Sequence, residues 1–129
     1  KLSSRHLTDM TATAPIALSD AEYRQRTHAI LSAIESQLDA WLEDDTIDID
    51  THRSGGLLEL SFPNGSKIVL NTQPPLQELW MAARAGGFHF RWAGDAWRDT
   101  KDGVEFHARL SEMSSLQAGC PLAFRGQPA

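Results

Sequence analysis

The sequence predicts an α+β fold: a two-layer sandwich, with an antiparallel sheet of five to six strands and the N- and C-terminal helices packed on one face. Three observations predict it. A long stripe of apolar residues at steps of three and four lies near the start, a shorter one lies near the end, and short alternating segments punctuated by Gly, Pro and Asn fill the space between. Consecutive strands with short connections pair antiparallel, and two helices at the chain ends suffice to cover one face. With 129 residues the chain is expected to form one domain with one modest core.

The first helix should run over 20–43. Ser19 and Glu22 have the spacing of a capping box, and Leu18 with Tyr23 that of a hydrophobic staple. Behind them Thr27, Ile30, Ile34, Leu38, Trp41 and Leu42 make the apolar stripe. Before this helix, Lys1–Asp9 is polar and aperiodic and is read as an expression remnant, with Met10 as the true start. Residues 1–17 as a whole are expected to be a disordered arm.

Thr46–Thr51 alternates, with Ile47 and Ile49 on one face and Asp48 and Asp50 on the other, and predicts the first strand. Ser54-Gly55-Gly56 turns the chain. Leu57–Phe62 and Lys67–Thr72 flank Pro63-Asn64-Gly65-Ser66, a hairpin signal. A two-residue Asn64-Gly65 loop would set Leu58, Leu60 and Phe62 on the face of Lys67, Val69 and Asn71. A three-residue Pro63-Asn64-Gly65 loop instead pairs Phe62 with Ser66, Leu60 with Ile68 and Leu58 with Leu70. The apolar sets then coincide, so this register is preferred. Pro74-Pro75 precedes Leu76–Ala83, whose apolar run is compatible with strand or helix. Gly86-Gly87 leads into Phe88–Trp92, and Ala93-Gly94-Asp95 turns into Ala96–Arg98. Asp102-Gly103-Val104-Glu105 opens the second helix, with Phe106, Leu110, Met113 and Leu116 expected to face the core. Residues 119–129 read as an irregular tail.

Seventeen acidic and twelve basic residues leave a formal charge of −5. Residues 20–50 alone carry −7, so the rest of the chain is mildly basic at +2. An acidic chain argues against a general phosphate-backbone binder. No run approaches the ~18 apolar residues of a membrane span. The single cysteine, Cys120, excludes an internal disulfide, a CxxC zinc site and a resident iron–sulfur cluster, and points to a reducing compartment. The five histidines are scattered and the phosphate-loop, dinucleotide, GxSxG and HExxH signatures are absent. A ferroxidase would need Glu-x-x-His pairs around a buried di-iron site, and none occurs, so an enzyme is not expected.

Two features stand out. Glu35, Asp39 and Glu43 fall one turn apart on a ridge beside the apolar stripe. Asp44, Asp45, Asp48 and Asp50 continue it, and no Lys or Arg occurs from 27 to 52. Like charges ~6 Å apart repel by about 0.7 kcal/mol in water. Carboxylate oxygens suit hard cations, and a convex helix face would hold them weakly. The ordinary alternative is a solvated face that keeps the protein soluble. The second feature is the sheet's outward face, where Leu57, Glu59, Ser61, Lys67, Val69 and Asn71 are expected. Trp80 joins them if Leu79 and Met81 point inward; otherwise it is core.

From Leu18 to about Leu116 the chain resembles the frataxin family, bacterial members in particular. The matching features, in order, are Trp41 closing an acidic first helix, Ile47-Asp48-Ile49-Asp50, Gly56-Leu57-Leu58-Glu59-Leu60, Asn64-Gly65-Ser66-Lys67-Ile68, Asn71-Thr72-Gln73-Pro74-Pro75-Leu76, Leu79-Trp80, Gly86-Gly87-Phe88-His89-Phe90 and Gly94-Asp95-Ala96-Trp97. The resemblance implies a frataxin-like domain over 18–118 and an iron-binding accessory role in iron–sulfur cluster assembly in the bacterial cytoplasm. It implies weakly bound Fe²⁺/Fe³⁺ at Glu35, Asp39, Glu43, Asp44, Asp45, Asp48 and Asp50. It also implies protein contacts at Asn71, Gln73 and Trp80, with a cysteine desulfurase and a scaffold protein as partners. The expected state is a monomer, with metal-induced oligomers as the alternative. Where bacterial relatives often carry denser acid in the middle of the first helix, this chain has Ser36, Gln37 and Ala40. Two other functions compete: an acidic interaction module with no physiological metal, and a nucleic-acid-binding sheet suggested by the aromatic strand Gly87–Trp92.

Overall fold

The computed structural model describes residues 15–126. The proposed remnant and most of the N-terminal arm therefore lie outside the described residues. At the start of the described residues the Ile16 N–H donates to the Trp92 carbonyl at 2.7 Å.

Helix α1 spans Asp20–Glu43, about 36 Å at 1.5 Å per residue. Its capping box forms as predicted, with the Ser19 hydroxyl accepting from the Glu22 N–H and the Glu22 carboxylate accepting from the Ser19 N–H, both at 3.1 Å. Tyr23, Thr27, Ile30, Ile34 and Leu38 are buried and Trp41 packs partly against the core. Leu31 is also buried, at 1 % exposure, whereas Leu42 is 50 % exposed. On the helical wheel Leu42 lies past the edge of the stripe, toward the acidic ridge, where no sheet reaches it.

Six strands follow in spatial order β1-β2-β3-β4-β5-β6, all antiparallel. They are β1 (Asp50–Ser54), β2 (Leu57–Ser61), β3 (Lys67–Gln73), β4 (Glu78–Ala83), β5 (Gly86–Trp92) and β6 (Trp97–Asp99). The first strand starts four residues later than predicted. Leaving α1, the chain still turns: Asp45 is left-handed, and the Thr46 N–H donates to Trp41 O at 2.8 Å and to the Asp44 carboxylate at 3.0 Å. Beyond the Asp50–Ser61 pair, β2 has no backbone left to offer, because it enters its own turn at Pro63. The burial alternation survives outside the strand: Ile49 is buried, and Asp48 and Asp50 are exposed.

The β2–β3 hairpin takes the three-residue register, with Leu58 opposite Leu70 and Leu60 opposite Ile68. All four are fully buried, each contributing about 1.5–3 kcal/mol relative to exposure. Gly65 adopts φ +88° and donates its N–H to Phe62 O, the left-handed position the turn requires. Gly56 has a different need: a Cβ there would sit 2.0 Å from Thr72 Oγ1, so any other residue would have to displace the Thr72 side chain, where the Thr72 N–H donates to Gly56 O at 2.9 Å. The ambiguous 76–83 segment divides. Pro74–Leu76 forms one 3₁₀ turn, Gln77 is left-handed and β4 follows. Gly86 and Gly87 lie within β5, the turn being Arg84-Ala85.

Helix α2 spans Phe106–Ala118, capped by the Glu105 carboxylate, which accepts from the N–H groups of His107 and Ala108. Burial pushes the Glu105 carboxyl up, but hydrogen bonds from His107 and the helix backbone outweigh it and hold the group below the usual carboxylate range. Phe106, Leu110 and Met113 face inward, but Leu116 is 67 % exposed and Gln117 takes the fourth inward place. The glutamine prevails because it satisfies loop backbone: its amide donates to Lys67 O and the Ser66 hydroxyl and accepts from the Arg84 N–H. The last described segment is irregular yet packed, with Leu122 and Phe124 buried and the Phe124 ring 4.9 Å from that of Trp41. Both helices thus cover one sheet face and leave the other to solvent.

Candidate functional site

The acidic residues occupy the C-terminal half of α1, the turn after it and the first residue of β1. Asp39, Glu43, Asp44, Asp45, Asp48 and Asp50 are all exposed. No basic side chain lies in the last turn of α1, so Glu43, Asp44 and Asp45 add to the negative end of the helix dipole. Such a placement works against helix stability. Asp44 has a local duty as well, its carboxylate accepting from the Thr46 backbone and hydroxyl.

Glu35 differs from the expectation of an open ridge. Arg53, one residue past the stretch without cations, reaches back from β1 and donates to its carboxylate at 2.6 Å. The same guanidinium lies 3.1 Å from His28 Nδ1. Among the described residues, no three His, Cys, Asp or Glu side chains converge to hold a metal ion. The donor chemistry suits a hard cation, but the geometry offers at most one or two carboxylates to any one ion.

The sheet's outer face holds the other three candidates. Leu79 and Met81 are buried, so Trp80 points outward and is half-buried. The register sets Asn71 opposite Trp80 and Gln73 opposite Glu78. Trp80 in turn lies opposite His89 of β5, and the two rings stack at 4.2 Å and 7°. Asn71, Gln73 and Trp80 therefore form one surface, distinct from the acidic one. A cleft of about 380 Å³ between α1, α2 and the C-terminal segment is lined by Gln37, His107 and Phe124 among others, and includes none of the candidate residues.

Residues 16–120 match the family model described as a frataxin-like domain. The chain belongs to the frataxin-like family. Curated relatives carry the name iron–sulfur cluster assembly protein CyaY. That of Burkholderia mallei is 50% identical over 107 residues, covering 83% of this chain and 98% of the relative. That of Paraburkholderia phymatum is 51% identical over 105 residues, covering 81% and 96%. Among solved structures, frataxin from Psychromonas ingrahamii superposes with a TM-score of 0.73 at 29% identity, over 84% of this chain and all of that one. Among the described residues, no helix is long and apolar enough to cross a membrane.

The sequence missed three members of the frataxin-like outer face. Glu78 and His89 flank Trp80, Arg91 holds Glu78, and only the strand register brings them together. Glu78 and Trp80 stand two apart on one strand, a signal of a shared face once 76–83 is known to be strand.

Proposed function

We propose that this chain is an iron-binding accessory protein of iron–sulfur cluster assembly. Fe²⁺/Fe³⁺ binds weakly through Asp39, Glu43, Asp44, Asp45, Asp48 and Asp50, with Glu35 available once Arg53 releases it. The same acidic surface attracts a basic patch on a cysteine desulfurase, while Asn71, Gln73 and Trp80 contact a scaffold protein. Metal and desulfurase then compete or cooperate at one surface. The observation that carries this reading is the placement of Glu43, Asp44 and Asp45 at the negative end of α1, with no cation in the last turn. A face kept only for solubility has no reason to load the end where its charges destabilise the helix. The name of relatives at 50% identity supports the assembly role, and with it a cytoplasmic site of action.

The test is a pair of NMR titrations, one with Fe²⁺ and one with the desulfurase. Both should move the backbone signals of residues 39–50. Iron binding without any shift there would overturn the metal site, and desulfurase binding without any would overturn the docking site. The lack of three converging donors among the described residues favours a second reading, an acidic interaction module with no physiological metal. Melting in Ca²⁺, Mn²⁺ or Fe²⁺ at low ionic strength separates the two, since an ion that binds only the folded state raises the midpoint beyond a matched-salt control.

A further inference from the structure

On an otherwise solvated sheet face, one carboxylate is largely covered. The Glu78 side chain is 14% exposed, and its two oxygens have different partners. Oε1 accepts from the Trp80 indole N–H at 2.7 Å and lies 3.7 Å from His89 Nδ1, and Oε2 accepts from Arg91 Nε at 3.1 Å. Arg91 is itself fixed, donating through Nη2 to Leu76 O at 3.0 Å. Across the strand pair the indole lies parallel to the His89 ring, 4.2 Å away. An unrestrained tryptophan on a flat sheet would sample several rotamers. Here hydrogen bonds run from the 3₁₀ turn through Arg91 and Glu78 to the indole nitrogen, and a ring backs the indole on one side.

We infer that Glu78 is a positioning residue that holds Trp80 flat against His89, so that the outer face offers a preset aromatic platform to a protein partner; this rests on the reading of that face as the scaffold contact surface. Because the indole N–H is already engaged by Glu78, the partner meets the ring surface and not the donor. The platform fits a partner segment that lays an apolar or planar side chain on the indole, with Asn71 beside it to bond the partner's backbone. A charge-assisted bond in partial cover restrains the ring more firmly than a solvated one. Restraint before contact spares the ordering of a large side chain on binding, which for one such group amounts to about a three- to ten-fold difference in affinity.

The alternative is a purely structural Glu78–Arg91 ion pair between β4 and β5. NMR of the free protein separates the two. E78A should speed water exchange of the Trp80 indole proton and remove ring-to-ring contacts with His89, while the indole signals of Trp41, Trp92 and Trp97 stay in place. E78Q, whose amide oxygen still accepts from the indole, should restore them. Affinity for the scaffold protein should fall about three- to ten-fold in E78A and stay within two-fold of wild type in E78Q. E78A should add no further loss in a W80F background, because both changes delete one interaction. Intact Trp80–His89 contacts in a folded E78A protein would overturn the positioning role. A loss that adds in full to that of W80F would overturn it in favour of direct contact between Glu78 and the partner. Undiminished scaffold binding by W80A would overturn the contact-face reading itself, and the free-protein spectra would still decide whether Glu78 holds the ring.

Discussion

Tyr23 joins three elements through one hydroxyl. Its O–H donates to Glu78 O, and it accepts from the Gln73 N–H at 3.0 Å. The start of α1 is thereby tied to the end of β3 and the beginning of β4, the strands that carry Gln73 and Trp80. Tyr23→Phe removes the hydroxyl and leaves a partly buried N–H and C=O unpaired, at a cost of about 1–3 kcal/mol. The melting midpoint should fall by several degrees. Burial foremost, reinforced by the nearby Glu78 charge and opposed by the Gln73 hydrogen bond, pushes the Tyr23 hydroxyl above its ordinary range. A raised pKa means that the folded state holds its proton where the unfolded chain gives it up. Tyr23's contribution is therefore complete below about pH 10 and is lost as pH rises through the folded value. The stability advantage of wild type over Y23F should shrink above pH 10 in melts run from pH 8 to 11. Tyr23 is the only tyrosine in the chain, so its absorbance change on ionisation reports the same group directly. An advantage that grows with pH would contradict the assignment.

Among the elements, β1 is the least legible from the sequence and the most informative about the acidic surface. Cap chemistry and apolar spacing together set both ends of α1, because both are local. The β2–β3 register was equally readable, since a slip by one residue would turn Leu58 and Leu60 to solvent. Strand β1 was harder, because its start depends on where β2 ends and on how the chain leaves the helix. The Arg53–Glu35 pair was invisible for the same reason: the two are 18 residues apart and meet only after β1 docks beside α1. The inward turn of Gln117 in place of Leu116 likewise depends on Ser66, Lys67 and Arg84, none of them near in sequence. Of the candidate sites, the charge itself was legible, and the Arg53 that neutralises Glu35 was not. Arg53→Gln tests what that partner does. With side-chain exposures of 21% and 33%, the pair is worth up to about 1 kcal/mol. Losing it should lower the melting midpoint slightly and free Glu35 to join the ridge. Titration with Mn²⁺ or Fe²⁺ at low ionic strength should then show tighter binding than wild type. An unchanged affinity would remove Glu35 from the cation surface.

At the scale of the whole molecule, charge is polarised. Residues 20–50 carry −7 against +2 elsewhere, and the acids from Asp39 to Asp50 cluster at one end of α1. The helix dipole ends there with the same sign, so the two fields add. Such a surface would steer a basic partner from beyond contact distance, with a reach set by the Debye length, ~10 Å at 0.1 M salt. Reversing Asp39 and Glu43 together to Lys should slow association with the desulfurase by about 10- to 100-fold at low salt. Stopped-flow rates across a salt series check this, since the deficit should shrink as ionic strength rises. Folding responds in the opposite direction. Of the two positions only Glu43 lies in the last turn of α1, where a lysine complements the dipole by about 0.3–1 kcal/mol, so the doubly reversed protein should melt no lower than wild type. Damage to the fold would lower both quantities together. A face kept only for solubility would gain stability and lose no partner. Slower binding by a protein of equal or greater stability is the outcome that assigns these carboxylates to function, because it shows a charge arrangement maintained against the preference of the helix that bears it.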